Sequence, residues 1–466
     1  MNLFRLLALL CLFAMPAAAQ PNVVLILADD FSMNLMPKPG DGIKNMPALA
    51  KMQREGMTLT NFITVNSLCC PSRASILTGM LPHNTHVETN TRPEGGLFAF
   101  SAAGNEVKTF APLLKSAGYR TAFLGKYLNG WGPGFAIPPG WDYFASTNHG
   151  YTGFGYTLDV NGVQSTPADH FTDVIAELAR AWISSEPFFL EMTPFSVHSP
   201  YTPPARYASS FLTGSIPKTP AWDARPDAAA PAWLQIIPPL RDTTKVDLEA
   251  KYVMRLQGSA GIDDAIQKVR ARISAMGLAG QTYVIFTADN GYHMGEMSLR
   301  AGKMTPFDFD SNVPFVIVGP GIAPGSASDE LTMNIDIAPT LLDLAGVPIP
   351  ATMDGRSMVP VFAGSTNGRT MAVIEHLQTV MDPDDPDYAE PKAGDPPTYT
   401  ALRGKGWLYA EYATGEATYY DMTTDPYQLH NIAASLTPTR LAELHTAAVA
   451  NATCAGAVQC GAAQDR

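Results

Sequence analysis

Basic residues are scarce: 31 lysines and arginines stand against 43 aspartates and glutamates, a formal net charge of −12 over 466 residues. Proteins that grip phosphate backbones carry basic stripes, so a general nucleic-acid binder is excluded. An anionic small molecule is not, because a local basic pocket can sit in an acidic protein. Cysteine is scarce too, five in all, with no Cys-x-x-Cys pair and no histidines at zinc spacing. Charged residues make up only 16% of the chain against 46% hydrophobic, a globular composition and not a disordered one. There is no internal repeat and no low-complexity segment. Beyond the amino terminus, no apolar run approaches the roughly 20 residues that cross a bilayer, so no stable membrane insertion is expected.

The amino terminus is the exception in texture. Arg5 precedes an apolar run from Leu6 to Met15, and Ala17-Ala18-Ala19 closes it with small residues. The run is too short for a membrane span and reads as a signal peptide over residues 1–19, removed near Ala19. The expected location is secreted or periplasmic. Without a twin-arginine pair, the general secretory route is favoured. In an oxidising compartment Cys454 and Cys460 can close a small disulfide loop. Cys69 and Cys70 are adjacent, where a mutual bridge would be strained, and an unpaired thiol in an exported protein requires a reason.

Past the leader, apolar runs suited to strands buried on both faces alternate with amphipathic helices. Strands are predicted at Val23–Leu27, Thr58–Thr64, Thr121–Leu124, Phe188–Met192, Thr282–Thr287 and Phe315–Val318. Helices are predicted at Pro47–Glu55, Thr109–Ala117, Phe171–Ser184, Val246–Met276 and Asp336–Leu344. In the long helix, Ile262, Ile266, Val269 and Ile273 form one apolar face. The pattern predicts an α/β domain with a mostly parallel sheet over residues 20–364. After Gly364 the texture changes. A proline- and acid-rich loop over Met381–Pro397 precedes short strands at Thr398–Arg403, Trp407–Tyr412 and Thr418–Asp421 and a helix at Leu436–Ala450. Residues 365–466 therefore read as a smaller α+β domain.

Polar residues cluster at predicted strand ends: Asp29-Asp30, Gly125-Lys126, His198 and Asp289-Asn290. In open α/β sheets the ligand crevice lies at the carboxyl edge, so these distant residues are expected to converge. Asp29, Asp30, Asp289 and Asn290 offer oxygen ligands suited to Ca²⁺ or Mg²⁺; read singly, each pair serves equally well as a helix cap or a turn. Pro71 and Ser72 can open a helix that places Cys69 just ahead of its amino terminus, where free amides and positive potential favour an anion. Arg73 adds a guanidinium for a sulfate- or phosphate-like group.

Cys69-x-Pro71-Ser72-Arg73, followed by Leu77-Thr78-Gly79, resembles the sulfatase family motif. The resemblance extends to Asp29-Asp30, Gly125-Lys126, His198-Ser199-Pro200, Asp289-Asn290-Gly291, Lys303, and the Asp425-Pro426 and Asn431 pattern near the end. It implies a large mixed, mostly parallel sheet flanked by helices, alkaline phosphatase-like, with a smaller carboxy-terminal α+β domain. It also implies that Cys69 is converted to formylglycine (3-oxoalanine) by a formylglycine-generating enzyme and joins the ligands of a Ca²⁺ ion.

Implied roles follow. The aldehyde hydrate attacks sulfur and Asp289 accepts its proton. Arg73, Lys126 and Lys303 offset charge on the sulfuryl oxygens, His198 protonates the leaving oxygen, and the second hydroxyl expels sulfate. Cys-Cys-Pro-Ser-Arg, Lys126-Tyr127-Leu128-Asn129 and Asp289-Asn290-Gly291-Tyr292-His293 are similar to the N-acetylglucosamine-6-sulfatase branch. Leu128 stands where other sulfatases carry a histidine, and Asn129 is a partial substitute. Asn129 and His293 are candidate substrate contacts, with packing under the Asp-Asn-Gly turn the alternative for His293, whereas His83 and His86 are assigned no role. The implied partner is a sulfated small molecule or glycan such as N-acetylglucosamine 6-sulfate. The heparan endosulfatases' long basic region has no counterpart here, which favours small or terminal substrates. The competing readings are a phosphonate monoester hydrolase or phosphodiesterase of the same superfamily, and a non-catalytic glycan-binding protein.

Overall fold

The computed structural model describes residues 20–38, 45–183, 187–378, 385, 388 and 392–466. The expected leader and part of the loop expected over Met381–Pro397 lie outside the described residues. Among the described residues no helix is long and apolar enough to cross a membrane.

Sixteen strands are described. They are β1 (Asn22–Ala28), β2 (Met57–Leu59), β3 (Phe62–Ile63), β4 (Arg120–Gly125), β5 (Tyr143–Ser146), β6 (Leu158–Val160), β7 (Val163–Ser165) and β8 (Phe188–Thr193), then β9 (Thr282–Ala288), β10 (Phe315–Val318), β11 (Ser326–Ser328), β12 (Thr332–Met333), β13 (Met371–His376), β14 (Tyr399–Gly404), β15 (Trp407–Tyr412) and β16 (Ala417–Asp421). Ten of them form one sheet in the order β11-β2-β10-β9-β1-β8-β4-β5-β6-β7. Its centre is parallel: β1 lies between β8 and β9, and β4 between β8 and β5. The flanks turn antiparallel at β10 and at β6–β7. All seven residues of β1 and all six of β8 are buried, as expected of strands covered on both faces. The expected α/β architecture with a mixed, mostly parallel sheet is therefore what the chain adopts.

The helices Pro47–Glu55, Phe110–Ser116, Phe171–Trp182 and Ile337–Leu344 match their expected positions, and the long one spans Asp242–Ala275. The single strand expected over Thr58–Thr64 is two, because the chain changes partners midway. β2 pairs with β10 and β11, whereas β3 pairs with β12 in a separate ladder.

A four-stranded antiparallel sheet, β13-β14-β15-β16, carries the carboxy-terminal part. Its first strand, β13, was not predicted; nor was the helix Gly456–Gln464, which follows Pro438–Thr453. Cys454 and Cys460 form the disulfide that joins these last two helices. The apolar core is divided accordingly. One cluster wraps the large sheet, and a second joins the carboxy-terminal sheet to β3, β12 and the Ala230–Ile237 segment. The seam is cross-linked by polar contacts. Glu375 N donates to Val65 O at 2.8 Å, and the buried Arg369 guanidinium Nη2 donates to Asp336 Oδ1, also at 2.8 Å.

Candidate active site

The parallel strands end on one edge, and each delivers a polar residue there. Asp29 follows β1, Lys126 follows β4, Asp289 follows β9, and His198 comes five residues after β8. The strand ends are tied together by their backbones: Lys126 N donates to Thr193 O at 2.8 Å, and Val197 N to Asp29 O at 3.0 Å. Gly125 permits the first of these. Its φ is +134°, and a side-chain carbon there would stand 2.1 Å from Thr193 O.

The helix Cys69–Thr78 points its amino terminus into this cluster, and all ten of its residues are buried. Cys69 is its first residue, with Leu68 as the cap, whereas a position just ahead of the helix was expected. The difference places the Cys69 side chain directly at the end of the helix dipole. Ser72 Oγ donates to Asp289 O, and Asn334 Nδ2 donates to Ser72 Oγ at 2.9 Å, which locks the first turn. Gly79, in the left-handed region at φ +68°, ends the helix.

The Cys69 thiol donates to Asp29 Oδ1 at 3.3 Å, and Lys303 Nζ lies 2.8 Å from the sulfur and 2.7 Å from Asp30 Oδ1. Lys126 Nζ meets Asp29 Oδ2 at 2.6 Å. Arg73 donates from Nε to Asp289 Oδ2 and from Nη1 to Lys126 O, both at 2.8 Å. Its Nη2 is buried, has no hydrogen-bond partner among the described residues, and lies 3.7 Å from Asp29 Oδ2. His198 Nδ1 pairs with Ser199 O at 2.7 Å, leaving Nε2 3.6 Å from Asp30 Oδ2. The structure thus brings together Asp29, Asp30, Cys69, Arg73, Lys126, His198, Asp289, Asn290 and Lys303.

Burial opposes charge here, and the neighbours decide each outcome. Burial works to raise Asp29, but Lys126, His198 and Arg73 overcome it and hold the carboxyl below its usual range. Burial, with Asp29 beside it, raises Asp289 despite Arg73, Lys126 and Lys303. Burial also disfavours the Arg73 cation, yet Asp289 and Asp29 keep it firmly charged. Behind Arg73, burial pushes Glu191 up to about 8. A largely protonated Glu191 leaves the Arg73 charge available to an anion. Burial raises Cys70 to about 12, so this neighbour is an inert thiol.

The donor chemistry fits a divalent cation. Ligand atoms of Asp29, Asp30, Cys69 and His198 lie within 4.8 Å of one another. Asp30 Oδ2 and Asn290 Oδ1 are buried oxygens with no hydrogen-bond partner among the described residues. Asp289 Oδ1 lies beside them, accepting from Asp30 N at 3.1 Å and from Asn290 N at 2.8 Å. Buried oxygens with unsatisfied lone pairs are what a hard cation requires.

Two expected substrate contacts fare differently. Asn129 is half-buried, and its backbone carbonyl accepts from Leu97 N at 2.8 Å. His293 is fully buried. Asp310 engages its Nδ1 at 2.9 Å and Ala393 O its Nε2 at 2.6 Å, so both ring nitrogens have protein partners.

Two residues escaped the sequence. The Tyr151 ring lies 4.7 Å from the His198 ring and 5.0 Å from Lys126 Nζ, an aromatic face shared by imidazole and cation. Arg255, fully buried on the long helix, donates from Nη2 to Asp30 O at 2.7 Å. A loop tyrosine carries no motif. A charged residue in the middle of an apolar helix face was the available signal for Arg255.

Comparison with known proteins agrees with this geometry. Residues 21–347 match the family model described as Sulfatase, and residues 303–450 match N-sulphoglucosamine sulphohydrolase, C-terminal. The N-acetylglucosamine-6-sulfatase of Capra hircus is 34% identical, over 95% of this chain and 85% of its own. A solved protein in complex with its substrate D-glucosamine-2-N,6-O-disulfate shares the fold, with a TM-score of 0.73, 20% identity, and 92% and 96% of the two chains covered. So does a phosphonate monoester hydrolase from Silicibacter pomeroyi, with a TM-score of 0.69, 21% identity, and 92% and 93% covered.

Proposed function

Because the chain belongs to the sulfatase family and is a sulfuric ester hydrolase, we propose that it is exported and cleaves the 6-O-sulfate of a glucosamine-containing sugar, using formylglycine made from Cys69. The carrying observation is the placement of Cys69 Sγ at a buried helix amino terminus, within reach of Asp29 and Lys303. The sulfur stands in for the oxygens of the aldehyde hydrate.

A hydrated formylglycine at position 69 supplies two hydroxyls on one carbon, which lets a sulfuryl group be captured and released without a separate water. Ca²⁺, or Mg²⁺ in its place, held by Asp29, Asp30, residue 69, Asp289 and Asn290, supplies the positive charge that makes such a hydroxyl acidic. The remaining work falls to the chain's own groups. Arg73 Nη2, with no hydrogen-bond partner among the described residues, binds a sulfuryl oxygen, and Lys126 and Lys303 add positive charge. Asp289, whose carboxyl burial and Asp29 hold above its ordinary value, accepts a proton at a carboxylate oxygen. His198, with Nδ1 held by Ser199, delivers a proton from Nε2 to the leaving alcohol.

The substrate class is supported by two relatives. One is named for N-acetylglucosamine 6-sulfate, and the other is bound to a 6-O-sulfated glucosamine. We assign residues 20–364 to catalysis and 365–466 to a supporting subdomain. A formylglycine-generating enzyme is the required maturation partner.

The test pairs peptide mass spectrometry at position 69 with hydrolysis assays. Aldehyde at residue 69 and release of sulfate from N-acetylglucosamine 6-sulfate are expected. A preference for a phosphonate monoester or phosphodiester would replace this reading with the hydrolase activity of the Silicibacter pomeroyi neighbour.

A further inference from the structure

The long helix Asp242–Ala275 sends one charged side chain toward the carboxyl edge of the large sheet. Arg255 opens an unbroken buried stretch of that helix, which ends at Asp263, and is itself 0% exposed. One turn on, Gly258 lets the helix lie close to the segment that carries His198: a side-chain carbon there would stand 3.3 Å from Val197 Cγ1.

The Arg255 guanidinium reaches three parts of the site. Nη2 donates to Asp30 O at 2.7 Å and to Ser32 Oγ at 3.0 Å, just past β1. Cζ lies 4.5 Å from the centre of the Tyr292 ring, two residues past Asn290. Tyr292 OH meets Tyr201 OH at 2.7 Å, and Tyr201 N donates to His198 O at 2.9 Å. One side chain thus links the ends of β1 and β9 with the His198 segment.

Stability alone does not account for such an arginine. Among the described residues it makes no ion pair, and its buried Nε and Nη1 have no hydrogen-bond partner. A charge buried on these terms costs free energy. What it holds is a backbone that needs holding. Asp30 has φ +56°, in the left-handed region that residues with side chains rarely adopt. Its N donates to Asp289 Oδ1 at 3.1 Å and its O accepts from Arg255, so the peptides on both sides are clamped. The side chain between them carries Oδ2, a buried oxygen with no hydrogen-bond partner among the described residues.

We propose that Arg255 is a positioning residue for the cation site, and that by fixing the left-handed backbone of Asp30 it sets how tightly the site holds Ca²⁺. The inference rests on the cation assigned above and adds a residue outside the ligand set. Two properties of the guanidinium oppose each other: its charge repels a cation, whereas its hydrogen bond orients a ligand. Residues that hold metal ligands from behind typically account for about 10–100-fold in affinity. A variant that keeps the charge and alters the hydrogen bond separates the two.

Isothermal titration calorimetry with calcium chloride on the metal-free mature protein reads the difference. Arg255→Lys keeps the charge but loses the planar fork and its stack on Tyr292. It is expected to raise the Kd for Ca²⁺ about tenfold. Ser32→Ala removes only the second acceptor of Nη2 and is expected to raise Kd about threefold, which carries the test should the lysine variant not fold. Arg255→Met removes the charge as well and serves as the control. Wild-type affinity in Arg255→Lys, or in Ser32→Ala where the lysine variant does not fold, would overturn the proposal and leave the functional reading intact. So would tighter binding in Arg255→Met beside unchanged affinity in Arg255→Lys, because only the charge would then matter. A wild type that takes up neither Ca²⁺ nor Mg²⁺ would remove the cation from the functional reading, and this inference with it.

Discussion

At the carboxyl edge of the large sheet, Asp29, Asp30 and Asp289 meet Arg73, Lys126 and Lys303 with contacts of 2.6–2.8 Å. Across the seam, the carboxy-terminal sheet carries an uncharged histidine stacked on Tyr399. The charged side meets a demand of the ester. Its sulfuryl half gathers negative charge as the bond breaks, and preorganised cations and dipoles stabilise that change. The charged cluster belongs to the large sheet, and the uncharged histidine to the carboxy-terminal one.

The strongest way to break this division is at Cys69. Cys69→Ala should remove at least about a thousandfold of turnover on sugar and aryl esters alike. Turnover that survived the change would place the chemistry outside the charged cluster. Next comes Arg73→Lys, which keeps a charge but loses the fork that holds Asp289 and Lys126 O. A loss of about a hundredfold in kcat, equal for both esters, is expected. A change confined to KM for the sugar would contradict the assignment of Arg73 to the sulfuryl half.

Two histidines flank Glu375 with opposite leanings, and they sharpen the comparison through stability. Glu375 beside His83 outweighs burial and raises it to about 9, whereas burial lowers His376 to about 4. The His83 pair stabilises the fold fully below its ordinary value of 6.5, and its contribution is lost as pH rises toward 9. The neutral His376 contributes fully above 6.5 and loses its share as pH falls toward 4. Denaturant titrations across this range should show both limbs. His376→Phe should flatten the acid limb alone, and His83→Gln the alkaline one. The opposite assignment would show that the seam is not organised around Glu375. The smallest effect is expected at the disulfide. Replacing Cys454 and Cys460 with alanine should cost about 2 kcal/mol of stability, with the ratio of sugar to aryl hydrolysis unchanged. A shifted ratio would show that the last two helices reach the alcohol.

The charged cluster was legible in the sequence, and its surroundings across the seam were not. β1, β4, β8 and β9 are almost wholly buried and therefore read as mainly apolar runs, and their polar sequels stand out against that background. Cys69 and Arg73 sit in a contiguous motif. His376 and Tyr151 acquire meaning only from partners far along the chain: Val65 for the strand that carries His376, and Lys126 and His198 for Tyr151. β13 went unread because its final residues, Glu375 and His376, break the apolar run of a strand whose register is set by long-range pairing with β14. The surroundings of His293 depend on the same kind of long-range partner, because Asp310 and Ala393 engage its two ring nitrogens.

If Cys69 is converted to formylglycine as proposed, the burial of the helix Cys69–Thr78 bears on when that conversion can happen. Cys69 is 0% exposed, and Ser72, Arg73 and Leu77 of its recognition motif are also covered. Any enzyme that reads those side chains and rewrites the thiol must hold them in an extended, open chain. The chemistry at position 69 therefore has a deadline, set by the moment at which the helix docks against Asp289 and Asn334. A chain that folds first is sealed with its cysteine unconverted. The yield of active protein is then a race between two rates, and slowing the collapse of the large sheet would raise it without altering a single residue of the site.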